Sequence, residues 1–272
     1  MHQTFDTPEP VALFVSLGAG GLTVEAADTS ESQVEIAGPR AEEFTVELHG
    51  RNLAVAAPKG RFLGIGHDSH TVRVVVPTGS DLSTRTGSAD TEAVGSLGTI
   101  TLKTGSGDVE VERADGSLVV DSGSGDIRCH EAAGEVRIKS GSGDVDLGDV
   151  RGTTGISTGS GDVVIGAVHE RTVVKTGSGD LELKRAESDV SLTTASGDLV
   201  VGHAPRGRIT ARNVSGDVRV GIPAGTPVWT DVNTVTGSVA SNLESAGKPA
   251  DGQDYVELRA TTVSGDVHLV QV

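Results

Sequence analysis

Aromatic residues are nearly absent from this sequence, and cysteine is scarcer still. Phe, Trp and Tyr together make up 2% of the 272 residues, whereas the hydrophobic share is 36%. A core made from such residues must be thin and filled by Val, Ile and Leu. Cys129 is the single cysteine, which excludes an internal disulfide. Its place in the repeat described below predicts a small buried hydrophobic residue.

Positive charge is also in short supply. Lys and Arg number 22 against 38 Asp and Glu, which gives a formal net charge of −16. Nucleic acids and anionic membranes both require a basic footprint, so neither is a predicted partner. No run approaches the ~20 apolar residues of a transmembrane helix, and residues 1–6 lack the basic start of a signal peptide. The sequence therefore predicts a cytoplasmic protein with no membrane insertion.

What the sequence does contain is one segment repeated many times. The clearest copy is Thr104–Val111, which reads TGSGDVEV, and its Asp recurs at intervals of 18 residues and once of 19. The series runs through Asp90, Asp108, Asp126, Asp144, Asp162, Asp180, Asp198 and Asp217. Ser238 takes the Asp position in a later copy, and Asp266 closes the series. Self-similarity at a short fixed period is the signature of a solenoid.

Aliphatic residues within each repeat fall in pairs two positions apart, the spacing of a strand with one buried face. Val109 and Val111 follow one Asp, and Leu118 and Val120 precede the next. Gaps between inward positions alternate between two and seven, which disfavours a left-handed hexapeptide helix. Parallel crossovers are right-handed in nearly all cases. We predict an all-β fold, a right-handed single-stranded parallel β-helix (β-solenoid) with 18-residue coils and irregular capping strands at both ends.

The two turns of each predicted coil differ. One turn, which we call the Gly–Asp edge, has a Gly directly before the Asp, as in Gly107. Recurrence of Gly there indicates a backbone conformation closed to other residues, or close approach of stacked backbones. The opposite turn, which we call the insertion edge, varies in length. Extra residues fall there near Pro205, around residues 222–228 and in residues 245–254.

Residues 1–80 show only a weak form of the period. An early degenerate repeat places Gly21 in the Asp position. All four Phe lie in this part, and Trp229 and Tyr255 lie near the other end, where bulky side chains could cover open strand edges. We therefore divide the chain into N-terminal capping β-strands and degenerate coils over 1–80, and a regular β-helix with C-terminal insertions and a cap over 81–272.

The serial Thr/Ser-Gly-Ser-Gly-Asp-Val segments resemble a family of bacterial β-strand-repeat proteins, a domain of unknown function labelled putative adhesins and also called toastrack domains. The lead segment Val76–Ser80, its echo Ile222–Thr226 and the closing Thr262–Val267 carry the same likeness. The resemblance implies a β-helical, non-enzymatic module, attached in some members to membrane segments and linked to envelope stress. It supplies no catalytic residues.

The Asp column is the most conspicuous candidate site, because stacking sets its carboxylates ~4.8 Å apart. Repulsion between neighbours in water is on the order of 0.9 kcal/mol, and a charged hydrogen bond from a backbone N–H in the turn contributes about 1.5–3 kcal/mol. Turn capping alone can therefore hold the column. No firm metal site, catalytic residue or cofactor is predicted. The candidate ligands for weak divalent-cation binding are Asp108, Asp126, Asp144, Asp162, Asp180 and Asp198.

Other polar groups show no comparable alignment. The motif His67-Asp68-Ser69-His70 offers two metal ligands in a predicted loop, without a fixed third ligand. One outward column holds three lysines, which is typical of a solvated face; they are Lys103, Lys139 and Lys175. The remaining histidines, His169 among them, fall at different places in the coil and predict no site.

Three functions remain open. The first is a non-catalytic scaffold or interaction module that presents an edge or face to a protein partner or to another copy of itself, with the insertions as the predicted contact region. The second is divalent-cation binding by the stacked Asp turns. The third is a carbohydrate-active β-helix enzyme. Such enzymes line a groove with carboxylates and aromatic platforms, and this chain has one Trp and one Tyr, so only fold analogy supports it.

Overall fold

The computed structural model describes residues 1–58, 69–244, 247 and 249–272, and it divides into two compact units, Met1–Gly143 and Asp144–Val272. The described regular structure is almost entirely β-strand, as the alternating aliphatic residues predicted. The exception is a short 3-10 turn at Ala41–Glu43. Over the described ranges, no helix has the length and apolar character that a membrane crossing requires.

Unit 1 follows the predicted register in its regular coils. Its strands are β1 His2–Asp6, β2 Ala12–Ala27, β3 Glu31–Ala37, β4 Thr45–His49, β5 Asn52–Ala56, β6 His70–Pro77, β7 Asp81–Leu97, β8 Ile100–Thr104, β9 Val109–Ala114, β10 Leu118–Ser122, β11 Ile127–Ala132 and β12 Val136–Ser142. Strand β10 pairs in parallel with β8 and with β12, so that Leu118 lies between Ile100 and Val136. Each partner is one 18-residue period away.

The first coils of unit 1 are covered by antiparallel strands. Strand β2 pairs in parallel with β7, and Gly21 lies opposite Asp90 in this register. The coil formed by β5 and β6 pairs with the other side of β2. Strand β4 then pairs antiparallel with β5, and β3 pairs antiparallel with β6. The side of the β5–β6 coil that faces away from β2 therefore has partner strands.

Unit 2 has the same two-strand coils. Its strands are β13 Val145–Val150, β14 Thr154–Ser160, β15 Val163–Val168, β16 Thr172–Ser178, β17 Leu181–Ala186, β18 Val190–Thr193, β19 Leu199–His203, β20 Gly207–Arg212, β21 Val218–Ile222, β22 Val228–Thr234, β23 Val239–Ser241, β24 Val256–Thr262 and β25 Val267–Gln271. Strand β15 pairs in parallel with β13 and β17, which places Val163 between Val145 and Leu181.

The last coils of unit 2 depart from chain order. Strands β24 and β25 stack on β20 and β21. Strands β22 and β23, which come earlier in the sequence, pair with the other side of β24 and β25. The coil β22–β23 is thus the terminal coil of the unit, an order that the 18-residue period did not predict.

The core of each unit consists of the predicted inward side chains. Val109 and Val145 are among those buried in full, with 2% and 1% of their surface exposed. Cys129 is also buried, and this burial raises the pKa of its thiol to about 12, so the thiol stays protonated and unreactive. The predicted all-β, parallel solenoid fold is confirmed. The right-handed crossover stays a prediction from strand sterics.

Candidate interaction surface

The Asp column forms a hydrogen-bonded ladder along the Gly–Asp edge of each unit. In unit 2 the backbone N–H of Asp180 donates to Oδ1 of Asp162 at 2.8 Å, and that of Asp198 donates to Oδ1 of Asp180 at 2.8 Å. Asp108 and Asp126 donate in the same way within unit 1. Each of these bonds joins a carboxylate to the amide of the following coil, whereas the repeat had predicted a donor within the same turn.

The direction of the hydrogen bonds in this ladder explains why its last position holds Ser rather than Asp. Because each Asp accepts from the coil stacked next, the final coil needs no carboxylate. In unit 2 Asp217 accepts from the amide of Asp266, and Asp266 accepts from both the amide and the hydroxyl of Ser238. These two bonds, the amide first, lower the pKa of Asp266. Ser in place of Asp at position 238 therefore marks the terminal coil.

The six candidate cation ligands belong to the ladder, and within each unit they lie in single file rather than around a common point. Beside the ladder bonds, Oδ2 of Asp126 accepts a long hydrogen bond of 3.2 Å from Arg128. Among the residues that the structure describes, no group of three or more His, Cys, Asp or Glu is placed to hold a metal ion. One oxygen is engaged by the next coil in Asp108, Asp144, Asp162, Asp180 and Asp198. Weak cation binding along the ladder stays a prediction.

The other polar groups singled out in the sequence lie apart from one another. His67 and Asp68 fall outside the described residues. His70 is buried in unit 1, with Nε2 2.9 Å from the carbonyl oxygen of Pro39 and its ring at an edge-on angle to Phe44. Lys103 reaches the carboxylate of Asp121 on the next coil at 3.7 Å, an exposed ion pair.

A row of paired charges runs along the insertion edge of unit 2. His169 lies between carboxylates of two other coils, with Nε2 2.7 Å from Asp149 and Nδ1 2.9 Å from Glu187. Arg151 pairs with Asp149, and Arg185 pairs with Glu187. The hydrogen bond to Asp149, with a further one to Glu187, raises the pKa of His169. Arg185 and then His169 lower the pKa of Glu187.

The predicted insertions meet on this same edge. Arg206 from the first insertion and Asp254 from the third line a cleft of about 510 Å³ that extends to His169. Pro227 from the second and Pro249 from the third line a neighbouring groove of about 530 Å³. Residues 245, 246 and 248 of the third insertion lie outside the described residues. We define the insertion surface as Arg206, Arg208, Pro227, Trp229, Pro249, Asp254, Tyr255, Glu257 and Arg259.

Glu257 holds the centre of the insertion surface together. Nη2 of Arg208 and Nη2 of Arg259 each lie 2.8 Å from its carboxylate oxygens. The bond from Arg208, with a smaller contribution from Arg259, lowers the pKa of Glu257. The guanidinium of Arg259 also lies 5.6 Å from the ring centre of Trp229. Trp229 and Tyr255 remain 50% and 48% exposed, so two aromatic side chains stand in solvent beside fixed charges.

The profile of the Toastrack DUF4097 family matches residues 12–270. The chain belongs to this family. The resemblance predicted from the Gly-Ser-Gly-Asp-Val segments is thereby confirmed over nearly the whole Toastrack chain. Among proteins of curated function, none matches it.

Solved structures that are similar to this chain come from several bacteria. A putative adhesin from Parabacteroides merdae is 11% identical, with 99% of this chain and 95% of that chain covered and a TM-score of 0.47. A putative lipid binding protein from Parabacteroides distasonis is 15% identical, with 99% and 96% covered and a TM-score of 0.46. A putative cell adhesion protein from Clostridium sporogenes is 13% identical, with 100% and 99% covered and a TM-score of 0.26.

Sequence reasoning missed the role of His169 in this Toastrack chain. Comparing histidines only with one another shows no alignment. Comparison of His169 with the carboxylates does show an alignment, because Glu187 lies one period of 18 residues further on and Asp149 lies 20 residues before. The pairing of Trp229 with Arg259 had no such signal, since it depends on the unexpected order of β22 and β24.

Proposed function

We propose that this Toastrack chain is a non-catalytic interaction module whose insertion surface binds a protein partner. The observation that carries the proposal is that insertions in three successive turns of the insertion edge converge around Trp229 and Tyr255. Insertions in a solenoid are tolerated wherever they leave stacking intact. Their collection at one place, beside exposed aromatic residues, favours a shared role in binding.

The composition of the insertion surface suits a protein partner. Trp, Tyr and Arg are the residues that most often dominate the energetics of protein interfaces. Here Trp229, Tyr255 and Arg259 lie together, and charges of both signs, such as Arg206 and Asp254, surround them. An apolar centre with a polar rim is the usual anatomy of such an interface.

The surface is also held in place before any partner binds. Strand β24 pairs with β20 on one side and with β22 on the other, so the strands that carry Arg208, Trp229 and Glu257 form one sheet. The ion pairs from Glu257 to both arginines restrict their side chains further. Such preorganisation lowers the entropic cost of binding.

The pairing of charges supports a non-catalytic role. A general base needs a nitrogen or oxygen within reach of a substrate proton. Both ring nitrogens of His169 contact carboxylates, and both carboxylate oxygens of Glu257 accept from arginines. These groups therefore serve the structure of the edge. The cytoplasmic location predicted from the sequence stays a prediction.

A double variant, Trp229→Ala with Tyr255→Ala, tests the proposal. Each bait is immobilised, and proteins captured from a bacterial extract are quantified by mass spectrometry. Loss of two aromatic hot spots should cost about 2–4 kcal/mol of binding free energy, so partners recovered by the wild type should fall at least tenfold. Phe14→Ala is the matched control, because Phe14 is an aromatic residue of unit 1 with 38% of its surface exposed.

Circular dichroism and thermal unfolding must show that the double variant folds as the wild type does. Both aromatic side chains are half-exposed, so their removal should change the melting temperature little. The proposal is wrong if the folded double variant recovers the wild-type partners at undiminished yield. It is also wrong if Phe14→Ala loses those partners to the same extent.

A further inference from the structure

The terminal coil β22–β23 leaves one end of the unit 2 core open. Thr230 and Val239 occupy inward positions, opposite Leu258 and Val267 of the coil beneath. Leu258 and Val267 are fully buried, whereas Thr230 is exposed and Val239 is 52% exposed. The inward residues of the terminal coil instead line an open depression of about 650 Å³. Side chains that belong to the core in every other coil thus contact solvent here.

The backbone of the terminal coil is open on the same side. Within the described part of the chain, β22 pairs only with β24, and β23 only with β25. The coil β5–β6 of unit 1, by contrast, is covered by β3 and β4. An uncovered strand presents a row of N–H and C=O groups that can pair with another strand.

Charge is almost missing from this edge. Asp231 is the single charged side chain in residues 228–241, although the chain as a whole has a net charge of −16. Ser238 replaces the Asp that other coils have at the same position. Edge strands that must stay unpaired are usually protected by charged side chains. In unit 1 the outer strand β4 follows that rule with Glu47.

We propose that the terminal coil β22–β23 docks end to end with the terminal coil of a second copy of this chain. The chemistry of the surface is self-complementary, because each copy supplies aliphatic side chains to the open depression of the other. A two-fold axis crossing β22 would set that strand antiparallel to its own copy, which is the closed symmetry of a dimer. The surface carries few charges, which limits repulsion between two acidic chains: Asp231 is the one charged residue in residues 228–241, and Glu244 is the one charged residue, among those that the structure describes, that lines the depression.

This surface differs from the insertion surface. Side chains alternate along β22, so Thr230 points into the core while Trp229 points outward. Docking of a second copy through the inward side therefore leaves Trp229 and Tyr255 available to a protein partner. Failure of one proposal does not imply failure of the other.

Analytical ultracentrifugation of the full chain tests the proposal. We expect the wild type to sediment as a dimer at micromolar concentrations, and the dimer fraction to rise with salt because screening reduces repulsion between two acidic chains. Val239→Lys places a charge in the docking surface and should give a monomer. Val214→Lys is the matched control, since Val214 is a valine of another coil with 55% of its surface exposed. It should leave the dimer intact.

Thr230→Lys is a second disrupting variant and guards against a folding defect at Val239. Thermal unfolding must show that all three variants retain the native fold. Hydrogen exchange should then be slower for the amides of β22 in the wild-type dimer than in the Val239→Lys monomer. A wild type that stays monomeric overturns the proposal and points to a partner strand of another protein. A dimer that both lysine variants preserve overturns it as well.

Discussion

The two edges of the coils in unit 2 are held by different kinds of contact. At the Gly–Asp edge the backbone sets the structure, because a Cβ added to Gly179 would lie 2.2 Å from the carbonyl oxygen of Gly161. At the insertion edge backbone hydrogen bonds also join neighbouring coils, as from the N–H of His169 to Val150, and exposed ion pairs add to them, as His169 does between Asp149 and Glu187. A turn packed backbone against backbone accepts no additional atoms. A turn held by exposed ion pairs accepts extra residues.

This difference explains why the turns vary in length on one edge and keep a constant length on the other. The Gly–Asp edge keeps successive coils in register through the Asp ladder, so the register does not depend on the opposite turns. Those turns can then lengthen without disturbing the core. In this chain the lengthened turns bring Arg206, Pro227 and Tyr255 together. Constraint on one edge therefore permits the insertion surface on the other.

Replacing one Gly by Ala on each edge should give the largest difference in stability between the two edges. Gly179→Ala brings Cβ against the backbone of the neighbouring coil at a φ of 137°, so we expect a loss of about 3 kcal/mol or more in the free energy of unfolding. Gly225→Ala is the control on the insertion edge, with a φ of 76° and no atom within 4 Å of the added Cβ. It should cost about 1 kcal/mol.

Urea unfolding of the two glycine variants measures this contrast. Similar losses would mean that positive φ alone, and not the close approach of coils, determines the Gly–Asp edge. In that case the two edges would not differ in the way described.

Removing one carboxylate from the ladder should have an intermediate effect. Asp180→Ala deletes the oxygen that accepts from the amide of Asp198, which should cost about 1–2 kcal/mol. Asp180→Asn keeps an oxygen in this place and removes a negative charge between Asp162 and Asp198, so it should cost less. Urea unfolding again provides the measurement. An Asn variant as unstable as the Ala variant would show that the charge, not the hydrogen bond, matters.

Thermal unfolding in the presence of calcium distinguishes this structural role of the ladder from cation binding. If the ladder only holds coils together, millimolar calcium should raise the melting temperature of the wild type no more than sodium chloride of equal ionic strength does. A larger rise that Asp180→Asn weakens would instead assign divalent-cation binding to the stacked Asp turns.

The smallest effect is expected from His169→Gln on the insertion edge, and it should depend on pH. The pKa of His169 is raised above its usual 6.5, so its contribution to stability is present below pH 6.5 and is lost as the pH rises through the folded pKa. The pKa values of Asp149 and Glu187 are lowered, so their contributions are lost as the pH falls through the lowered values.

The stability difference between the wild type and His169→Gln should therefore be largest near pH 5–6 and small at pH 8 or above. It should stay below about 1 kcal/mol, because exposed ion pairs contribute little. Thermal unfolding across this pH range checks the prediction. A difference that grows with rising pH would contradict the raised pKa of His169.

Much of the fold could be predicted from particular residues. The pair Leu118 and Val120 identified one strand and its inward face, and the period of 18 identified Val136 as the partner of Leu118. Gly21, read as a degenerate copy of the Asp position, lies opposite Asp90. These inferences succeed because stacking in a solenoid relates each residue to one a fixed distance away.

The candidate site was less predictable. The sequence indicated which turns lengthen, but not that Trp229 would lie beside Arg259. The segments 228–241 and 256–271 carry the same strand pattern, so the period is satisfied whichever of them stacks on β20 and β21. Ser238 was the available clue, since the last coil of the ladder is one that needs no carboxylate at that position.

The amino-acid sequence alone determined the repeating coil, its inward aliphatic side chains and the edge on which insertions occur, because these follow from contacts between residues a constant distance apart. Only the tertiary structure decided that the coil β22–β23 lies outside β24–β25, and hence that its inward side chains are exposed and that its outer backbone has no partner strand among the described residues. That order depends on the paths of long connecting turns, which no periodic contact constrains.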